Sequence, residues 1–341
     1  MPPASAPFAL QIWEIRQKRS MDWSTGFAIS TGQNGTVTMP ISQSKGPEFK
    51  KAEQRFYYVC IAPAMLVLGI IIVVPTLFLV AWSFTPLDLT RPETWWDFSD
   101  PFWNYELMTM DDRLINSFVV QSKLSFWSVI AQLVLGFSFA LFLNRFSERY
   151  GYLRTVFLIP MVLPPIAVAI IWKIIYTPDI SPVYWTLQSL GIDAPTLITH
   201  PDWALTAIII ADTWEWFPFT MLMILSALQM MPEEYSEAAR IDGANGLQIT
   251  WYVTLPYLKG ILLVAGMFRL IDSLKAFPLI FVLTNGGPGS VTEVTNYYSF
   301  TQAFNFSYLG YSSAITMVLI GLSLILSWFI IRATGWNNEY Q

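Results

Sequence analysis

Five ionisable side chains that interrupt long apolar segments are the residues of this sequence best suited to do chemistry. Asp212 and Glu215 are three residues apart, and Arg269, Asp272 and Lys275 follow the same spacing. Residues three apart share one face of a helix. Because ionisable groups at membrane depth are costly, they mark either a solute pathway or a structural ion pair.

Aromatic residues accompany the acidic pair on the same predicted helix face, at Trp216 and Phe219. Carboxylates accept hydrogen bonds from the hydroxyls of a sugar, and aromatic rings offer flat faces for its C–H groups. This combination suits a polyhydroxylated solute. The alternative is that Trp214 and Trp216 contact lipid or a neighbouring helix.

Several classes of protein and site are excluded by what the sequence lacks. With one histidine, His200, and one cysteine, Cys60, it has no internal disulfide, no cysteine-based metal site and no catalytic histidine cluster. It has no phosphate-binding P-loop motif. The net charge of −5 and the absence of a basic stretch argue against a nucleic-acid partner. We therefore expect no catalytic residue, no metal site and no cofactor bound by this chain.

The composition indicates a membrane protein. Of the 341 residues, 54% are hydrophobic and 13% are charged, about half the charged share of a typical soluble domain. Six apolar segments are long enough to cross a bilayer, at about 57–84, 120–144, 155–176, 203–230, 258–283 and 309–331. They are too long for barrel strands, so we expect an all-α, polytopic membrane domain over 56–341. Residues 1–55 form an N-terminal cytoplasmic extension, either disordered or containing a short interfacial helix.

The distribution of Lys and Arg sets the predicted orientation. Thirteen of these residues precede the first span or follow the second, fourth and sixth spans. Only Arg91 and Arg113 fall between spans on the opposite side. Both termini are therefore predicted to be cytoplasmic.

The segment 231–256, between the fourth and fifth spans, is predicted to be a helix, a turn and a second helix. Pro232 suits a first helical turn, and Gly243 supplies the turn. Pro256 is expected to break the chain just before the next span. The pattern alone fits equally an amphipathic linker on the membrane or a docking element for another protein.

Three motifs resemble one transporter family. Glu237-Ala-Ala-x-x-Asp242-Gly243-Ala244, with Gln248 and Leu255-Pro256, resembles the EAA loop of membrane subunits of binding-protein-dependent ABC importers. Phe268-Arg-Leu-Ile-Asp272, Lys275, Phe277 and Leu283-Thr-Asn-Gly-Gly-Pro288 are similar to the carbohydrate-uptake branch of maltose, trehalose and glycerol-phosphate permeases, as is Ile159-Pro160 with Pro164. The resemblance runs from about Phe56 to the C-terminus. Pro278 departs from it, because many relatives have Asp there, and we expect it to change the local helix shape.

The resemblance implies a fold and a set of partners. It implies the six-helix core of a type I ABC importer permease in the bacterial cytoplasmic membrane. A separate dimeric ATPase, using ATP and Mg, would dock on the loop at Glu237, Ala238, Ala239, Asp242 and Gly243. The other partners would be a second permease subunit, expected to differ from this one, and a periplasmic or lipid-anchored solute-binding protein. This chain would itself be no enzyme.

The resemblance also implies a substrate pathway along the spans that flank the loop. Its residues would be Asp212, Glu215, Trp216 and Phe219 in the fourth span, Asp272, Ser273 and Ala276 in the fifth, and Met161 in the third. Within the fifth span the family pattern favours a structural pairing of Asp272 with Arg269 or Lys275. The alternative function is a secondary transporter that uses the acidic residues as proton or cation sites. The sequence shows no clear internal repeat of the kind such transporters have.

Overall fold

A computed structural model describes residues 47–145, 152–192 and 195–333. Within these ranges the regular structure is helical, apart from an isolated bridge between Asp88 and Arg91. The helices are α1 (Pro47–Ser83), α2 (Trp103–Met110), α3 (Asp112–Arg145), α4 (Leu153–Val162), α5 (Pro165–Tyr176), α6 (Pro182–Ser189), α7 (Ala204–Gln229), α8 (Glu233–Ile241), α9 (Gly246–Ile249), α10 (Leu255–Ser273), α11 (Pro278–Leu283), α12 (Thr295–Phe300) and α13 (Leu309–Ala333). The short interfacial helix considered for the N-terminal extension falls outside the described residues.

Six membrane crossings are compatible with the helices in the described part of the chain. Five are long and apolar enough to cross alone, at Tyr58–Ser83, Asp112–Arg145, Ala204–Gln229, Gly246–Ser273 and Leu309–Phe329. The sixth requires α4 and α5 to act together as one broken span. The predicted all-α, polytopic fold is confirmed.

The chain divides into two compact units, residues 1–71 and 72–341. In the first unit, the described residues are the N-terminal part of α1. In the second, the long helices α3 and α7 pack against each other over much of their length. Gly136 of α3 permits this approach, because a Cβ atom there would lie 2.9 Å from the backbone nitrogen of Met221.

The third predicted span is not one straight helix. It is broken between α4 and α5, which meet at a bend of 98°. Leu163 and Pro164 have extended ψ angles of 143° and 137°, and each precedes a proline. Proline lacks an N–H donor and disfavours the helical conformation of the residue before it, so the run Pro164-Pro165 stops the helix.

The fifth predicted span, 258–283, also differs in the structure. Helix α10 ends at Ser273, and the short helix α11 begins at Pro278. Phe277, immediately before this proline, has φ −144° and ψ −54° and is not helical. The change of helix shape expected at Pro278 is therefore a complete interruption over residues 274–277.

The expected break at Pro256 is wrong. Helical structure runs without interruption from Gly246 to Ser273. A π-helical turn at Thr250–Thr254 precedes α10, and the Leu255 N–H donates to the carbonyl of Thr250, five residues back. Proline is tolerated in the first turn of a helix, where its missing N–H costs least. Pro256 lies in the first turn of α10, directly after the π-helical turn.

The segments 84–111 and 274–310 meet on the side of the second unit that the Lys and Arg counts predict to be outside, here called the outer face. The Leu89 N–H donates to the Ser307 carbonyl at 3.0 Å, and the Gly310 N–H donates to the Leu87 carbonyl at 2.9 Å. The segment 231–256 lies at the other side of the unit, where α7 ends and α10 begins.

Candidate functional site

A cavity of about 150 Å³ lies among helices α5, α7, α10 and α11. It contains six of the eight residues predicted for the substrate pathway: Asp212, Glu215, Trp216, Asp272, Ser273 and Ala276. The other two, Phe219 and Met161, do not line it. The interruption after Ser273 shapes the cavity, because Lys275, Ala276 and Phe277 form part of its wall. A continuous fifth span would not expose these residues together.

Arg269 is the centre of a buried polar network beside this cavity. Its side chain is 3% exposed, and its Nη1 lies 2.5 Å from Asp272 Oδ2. Its Nε donates to Gln132 Oε1 at 2.8 Å, and its guanidinium carbon lies 4.3 Å from the ring centre of Trp216. Of the two pairings considered for Asp272, the structure therefore contains the one with Arg269.

Asp212 is held on the other side of the same network. Gln132 Nε2 donates to Asp212 Oδ2 at 2.8 Å, and Asp212 Oδ1 lies 3.9 Å from Arg269 Nη2. The side chain of Asp212 is 8% exposed, so its charge depends on these two partners. Gln132 therefore bridges the acid and the base.

Glu215 differs from Asp212 although it is only one helical turn away. It is 2% exposed and lines the cavity. Among the described residues, no hydrogen bond or ion pair reaches its carboxylate. A buried carboxylate requires hydrogen-bond donors, so a hydroxylated solute in the cavity would find an acceptor here.

Sequence reasoning missed the polar side chains of α3 that complete this region. Gln121, Ser125, Ser128 and Gln132 are all buried and recur at intervals of four, three and four residues, which places them on one helix face. Besides the contacts of Gln132, the Ser273 hydroxyl donates to Ser125 Oγ at 2.7 Å, and Gln121 Nε2 donates to the Ser273 carbonyl at 3.0 Å. The spacing of these four residues is the available signal in the sequence. Because they are uncharged, the search for ionisable groups in apolar segments does not detect them.

The residues predicted to contact an ATPase lie in helix α8 and in the turn that follows it. Gly243 has φ +83°, which favours glycine. Asn245 and Gln248 form a reciprocal capping box at the start of α9, with hydrogen bonds of 2.9 and 2.7 Å. Four of the five predicted residues are exposed, namely Glu237, Ala238, Asp242 and Gly243, and Ala239 is half-buried.

The same turn presents apolar side chains to its surroundings. Ile241 is 87% exposed, and Leu247, Trp251 and Tyr252 are also exposed. Such a patch next to charged residues is typical of a surface that another protein or the membrane covers. The geometry therefore fits both an amphipathic linker on the membrane and a docking element for another protein.

Two further polar contacts stabilise the outer face. Arg113 and the buried Glu293 form a bidentate ion pair with distances of 2.7 and 2.9 Å. Asp111 accepts hydrogen bonds from the hydroxyls of Tyr298 and Tyr311 at 2.5 and 2.6 Å. Burial opposes ionisation of Asp111, but these hydroxyls and two backbone N–H groups lower the pKa of its carboxyl below the ordinary value of 3.8.

Metal-binding geometry is absent from the part of the chain that the structure describes: no three His, Cys, Asp or Glu side chains gather there in a suitable group.

Comparison with known proteins agrees with the resemblance of the motifs. Residues 132–332 match the family of binding-protein-dependent transport system inner membrane components. The chain is 35% identical over 288 residues to the trehalose/maltose transport system permease protein MalF of Thermococcus litoralis, covering 83% of this chain and 94% of that protein. It is 32% identical over 274 residues to the sulfoquinovosyl glycerol transport system permease protein SmoG of Agrobacterium fabrum, covering 80% and 88% of the two chains.

The fold is also similar to that of a chain in the crystal structure of a bacterial alginate ABC transporter in complex with an alginate pentasaccharide-bound periplasmic protein. The TM-score is 0.73 with 18% sequence identity, over 85% of this chain and 98% of that one. This likeness concerns the fold alone.

The chain belongs to the family of binding-protein-dependent transport system inner membrane components, and it is a multi-pass transport permease. This membership favours the ABC importer over the ion-driven secondary transporter, and it identifies a transport protein, not an enzyme.

Proposed function

We propose that this chain is one membrane subunit of an ATP-driven importer for a carbohydrate or a related polyhydroxylated solute. The observation that carries the proposal is the cavity between α7 and α10, which Glu215 and Trp216 line together. The carboxylate of Glu215 has no hydrogen bond or ion pair among the described residues. A carboxylate acceptor and an aromatic face are the groups that recognise sugar hydroxyls and sugar C–H surfaces. The trehalose/maltose and sulfoquinovosyl glycerol permeases, to which the chain is similar, support this solute class.

The size of the cavity favours a second permease subunit. A volume of about 150 Å³ is below the roughly 300–1,000 Å³ of typical ligand sites. A disaccharide would therefore need space and contacts from a partner. We propose that a second membrane subunit, most simply a different permease, completes the pathway.

The turn around Gly243 is proposed to couple the chain to a separate ATPase that consumes ATP and Mg. The exposed Ile241 and the small side chains of Ala238 and Ala239 would allow close contact with a cleft in that protein. An extracytoplasmic binding protein, periplasmic or lipid-anchored, would deliver the solute to the outer face. The site of action would be the bacterial cytoplasmic membrane, with both termini inside.

Replacing Gly243 by proline tests the coupling proposal. Proline cannot adopt φ +83°, and it removes the N–H that donates to the Arg240 carbonyl at 3.0 Å. We expect normal membrane insertion, loss of sugar uptake, and ATP hydrolysis that no longer responds to the binding protein. The measurements are uptake of radiolabelled trehalose and maltose by cells that produce the whole importer, and ATPase activity of the purified complex.

Gly191 on the outer face provides a matched control. It has φ +75°, and its N–H donates to the Gln188 carbonyl at 3.0 Å, so Gly191→Pro causes the same local damage away from the turn. This control should retain coupling. Full transport by Gly243→Pro, or equal loss in both variants, would contradict the assignment of the turn.

Replacing Glu215 by alanine tests the solute site. A hydrogen bond to a charged group contributes roughly 1.5–3 kcal/mol, so we expect the KM of uptake to rise about tenfold or more. Glu106→Ala, an exposed glutamate of α2, is the control. Unchanged KM and uptake in Glu215→Ala would remove Glu215 from the site.

A further inference from the structure

A second cavity, of about 440 Å³, lies on the outer face between the loop 86–94, helix α2 and the segment 298–311. None of its residues lines the central cavity. Its volume lies within the range of roughly 300–1,000 Å³ that ligand sites occupy. It is therefore large enough for a small ligand without any contribution from a partner.

Hydrogen bonds hold the wall of this outer cavity in place. Asn104 is buried, and its Nδ2 donates to the carbonyls of Ser83 and Thr85 at 2.9 and 2.8 Å. The bonds from Leu89 to Ser307 and from Gly310 to Leu87 join the loop to the opposite wall. A cavity with fixed walls needs little reorganisation to receive a ligand.

One buried polar side chain of the lining has no hydrogen-bond partner among the residues that the structure describes. Gln302 is 8% exposed and lines the cavity. Within the described segments no hydrogen bond of its side-chain amide is found. Buried amides are normally hydrogen-bonded, and this one has two donor hydrogens and an acceptor oxygen to offer.

The remaining lining favours an uncharged, ring-shaped ligand. Trp103 and Tyr308 line the cavity and are each about half exposed. The carboxylate of Asp111 is occupied by two tyrosine hydroxyls, and that of Asp88 lies 3.5 Å from Arg91. Aromatic faces beside an amide, with paired charges, are complementary to the hydroxyls and C–H groups of a neutral pyranose.

We propose that the outer cavity is a second carbohydrate site, in which Gln302 hydrogen-bonds the hydroxyls of a neutral sugar and Trp103 packs against its ring. The site is separate from the proposed transport pathway, and its ligand class follows from its own lining. A sugar bound here would be retained on the outer face of the permease before or during its passage inward.

Saturation-transfer NMR on the full chain in lipid nanodiscs tests the proposal, with D-trehalose, sucrose and methyl α-D-glucopyranoside as probes. At least one probe should receive saturation on its ring protons. Loss of one hydrogen bond between uncharged groups weakens affinity about fivefold, so Gln302→Leu should reduce it by about that factor. Trp103→Ala removes the packing of the indole against the sugar ring, which contributes about 1 kcal/mol, so it should weaken affinity by a similar factor. Trp96→Ala, an exposed tryptophan outside the cavity, is the matched control and should bind normally.

A Glu215→Gln variant separates the two sites. Binding that persists in Glu215→Gln and weakens in Trp103→Ala supports the outer site even if transport is unaffected by either change. Three results would overturn the proposal: no binding of any probe, binding lost in Glu215→Gln alone, or stronger competition by glycerophosphocholine than by sugars, which would indicate a lipid headgroup. If Gln302→Leu does not fold, Trp103→Ala decides, because Trp103 is half exposed and its replacement removes none of the side-chain hydrogen bonds that hold the wall.

Discussion

Replacing Arg269 by methionine should destabilise the protein strongly, and the structure indicates by how much. Methionine keeps much of the side-chain volume and its contact with Trp216 but removes the charge. Asp212, with a side chain 8% exposed, then has no cation within its network. Removing one member of a buried ion pair typically costs about 3–5 kcal/mol, which is a large fraction of a total stability of about 5–15 kcal/mol.

The two carboxylates beside Arg269 should contribute very unequally to this cost. The side chain of Asp272 is 45% exposed, so water screens its charge and its pairing contributes about 1 kcal/mol or less. Asp212 is buried and carries most of the penalty. The double variant Arg269→Met/Asp212→Asn should therefore recover most of the lost stability, since asparagine is neutral and its side-chain oxygen can still accept from Gln132.

The assay is equilibrium unfolding in mixed detergent micelles, applied to the single and double variants as a double-mutant cycle. Lys275→Met is the matched control, because Lys275 lies in the same segment, is exposed, and has no ion pair among the described residues. The reasoning is refuted if Arg269→Met is no less stable than Lys275→Met. It is also refuted if the double variant gains nothing over Arg269→Met.

Three more predictions concern the outer face. Arg113→Ala leaves the carboxylate of Glu293, 1% exposed, without its cation. It should lower the free energy of unfolding by about 2–3 kcal/mol, because the 47% exposure of Arg113 moderates the usual loss; a change below 0.5 kcal/mol would contradict this. Asp111 has a lowered pKa when folded, so its stabilising contribution is present above the unfolded value of 3.8 and disappears as the pH falls through the folded value. Asp111→Asn should therefore be less stable than the wild type at pH 7, and unfolding measured from pH 7 to 2 should show that difference shrink; a constant difference would exclude the linkage. Gly310→Ala places a Cβ against the backbone of the loop 85–87 and should cost about 1–3 kcal/mol, whereas Gly321→Ala on the same helix meets nothing within 4 Å and should be neutral or slightly stabilising in the same unfolding assay.

The fold class was predictable because membrane helices leave a strong signal in hydropathy. Long apolar segments indicated six crossings, and their number agrees with the structure when α4 and α5 count as one. The break between α4 and α5 does not follow from hydropathy, because average hydropathy does not respond to a change in backbone direction. The prolines at 164, 165 and 278 are the sequence signals of the two interruptions. Of these, only Pro278 led to a prediction of changed helix shape.

The candidate site was predictable only in part. Charge in an apolar segment identified Asp212, Glu215 and Asp272, and resemblance to the family added Ser273 and Ala276. The role of Gln132 could not be inferred in the same way, because its side chain is uncharged. Its role depends on contacts with Asp212 and Arg269, which belong to two other helices. Asp212 lies 3.9 Å from the guanidinium of Arg269 on α10, whereas Glu215 has no ion pair among the described residues. The spacing of the two acids along α7 does not show which of them a side chain of another helix contacts.

The continuous helix from Gly246 to Ser273 gives the two candidate sites a physical connection. At 1.5 Å per residue its 28 residues extend about 40 Å. The capping box of Asn245 and Gln248 lies at one end, and Arg269 lies within the last turn and a half at the other. A helix broken at Pro256 would absorb a displacement of the proposed docking turn, whereas an unbroken one can carry it to the Arg269 network. Asp272 lies on the same helix as Arg269 and would move with it, whereas Asp212 belongs to α7 and Gln132 to α3. A shift of this helix would therefore alter the contacts of Arg269 with Asp212 and Gln132 beside the cavity, and by this route the proposed coupling would reach the solute.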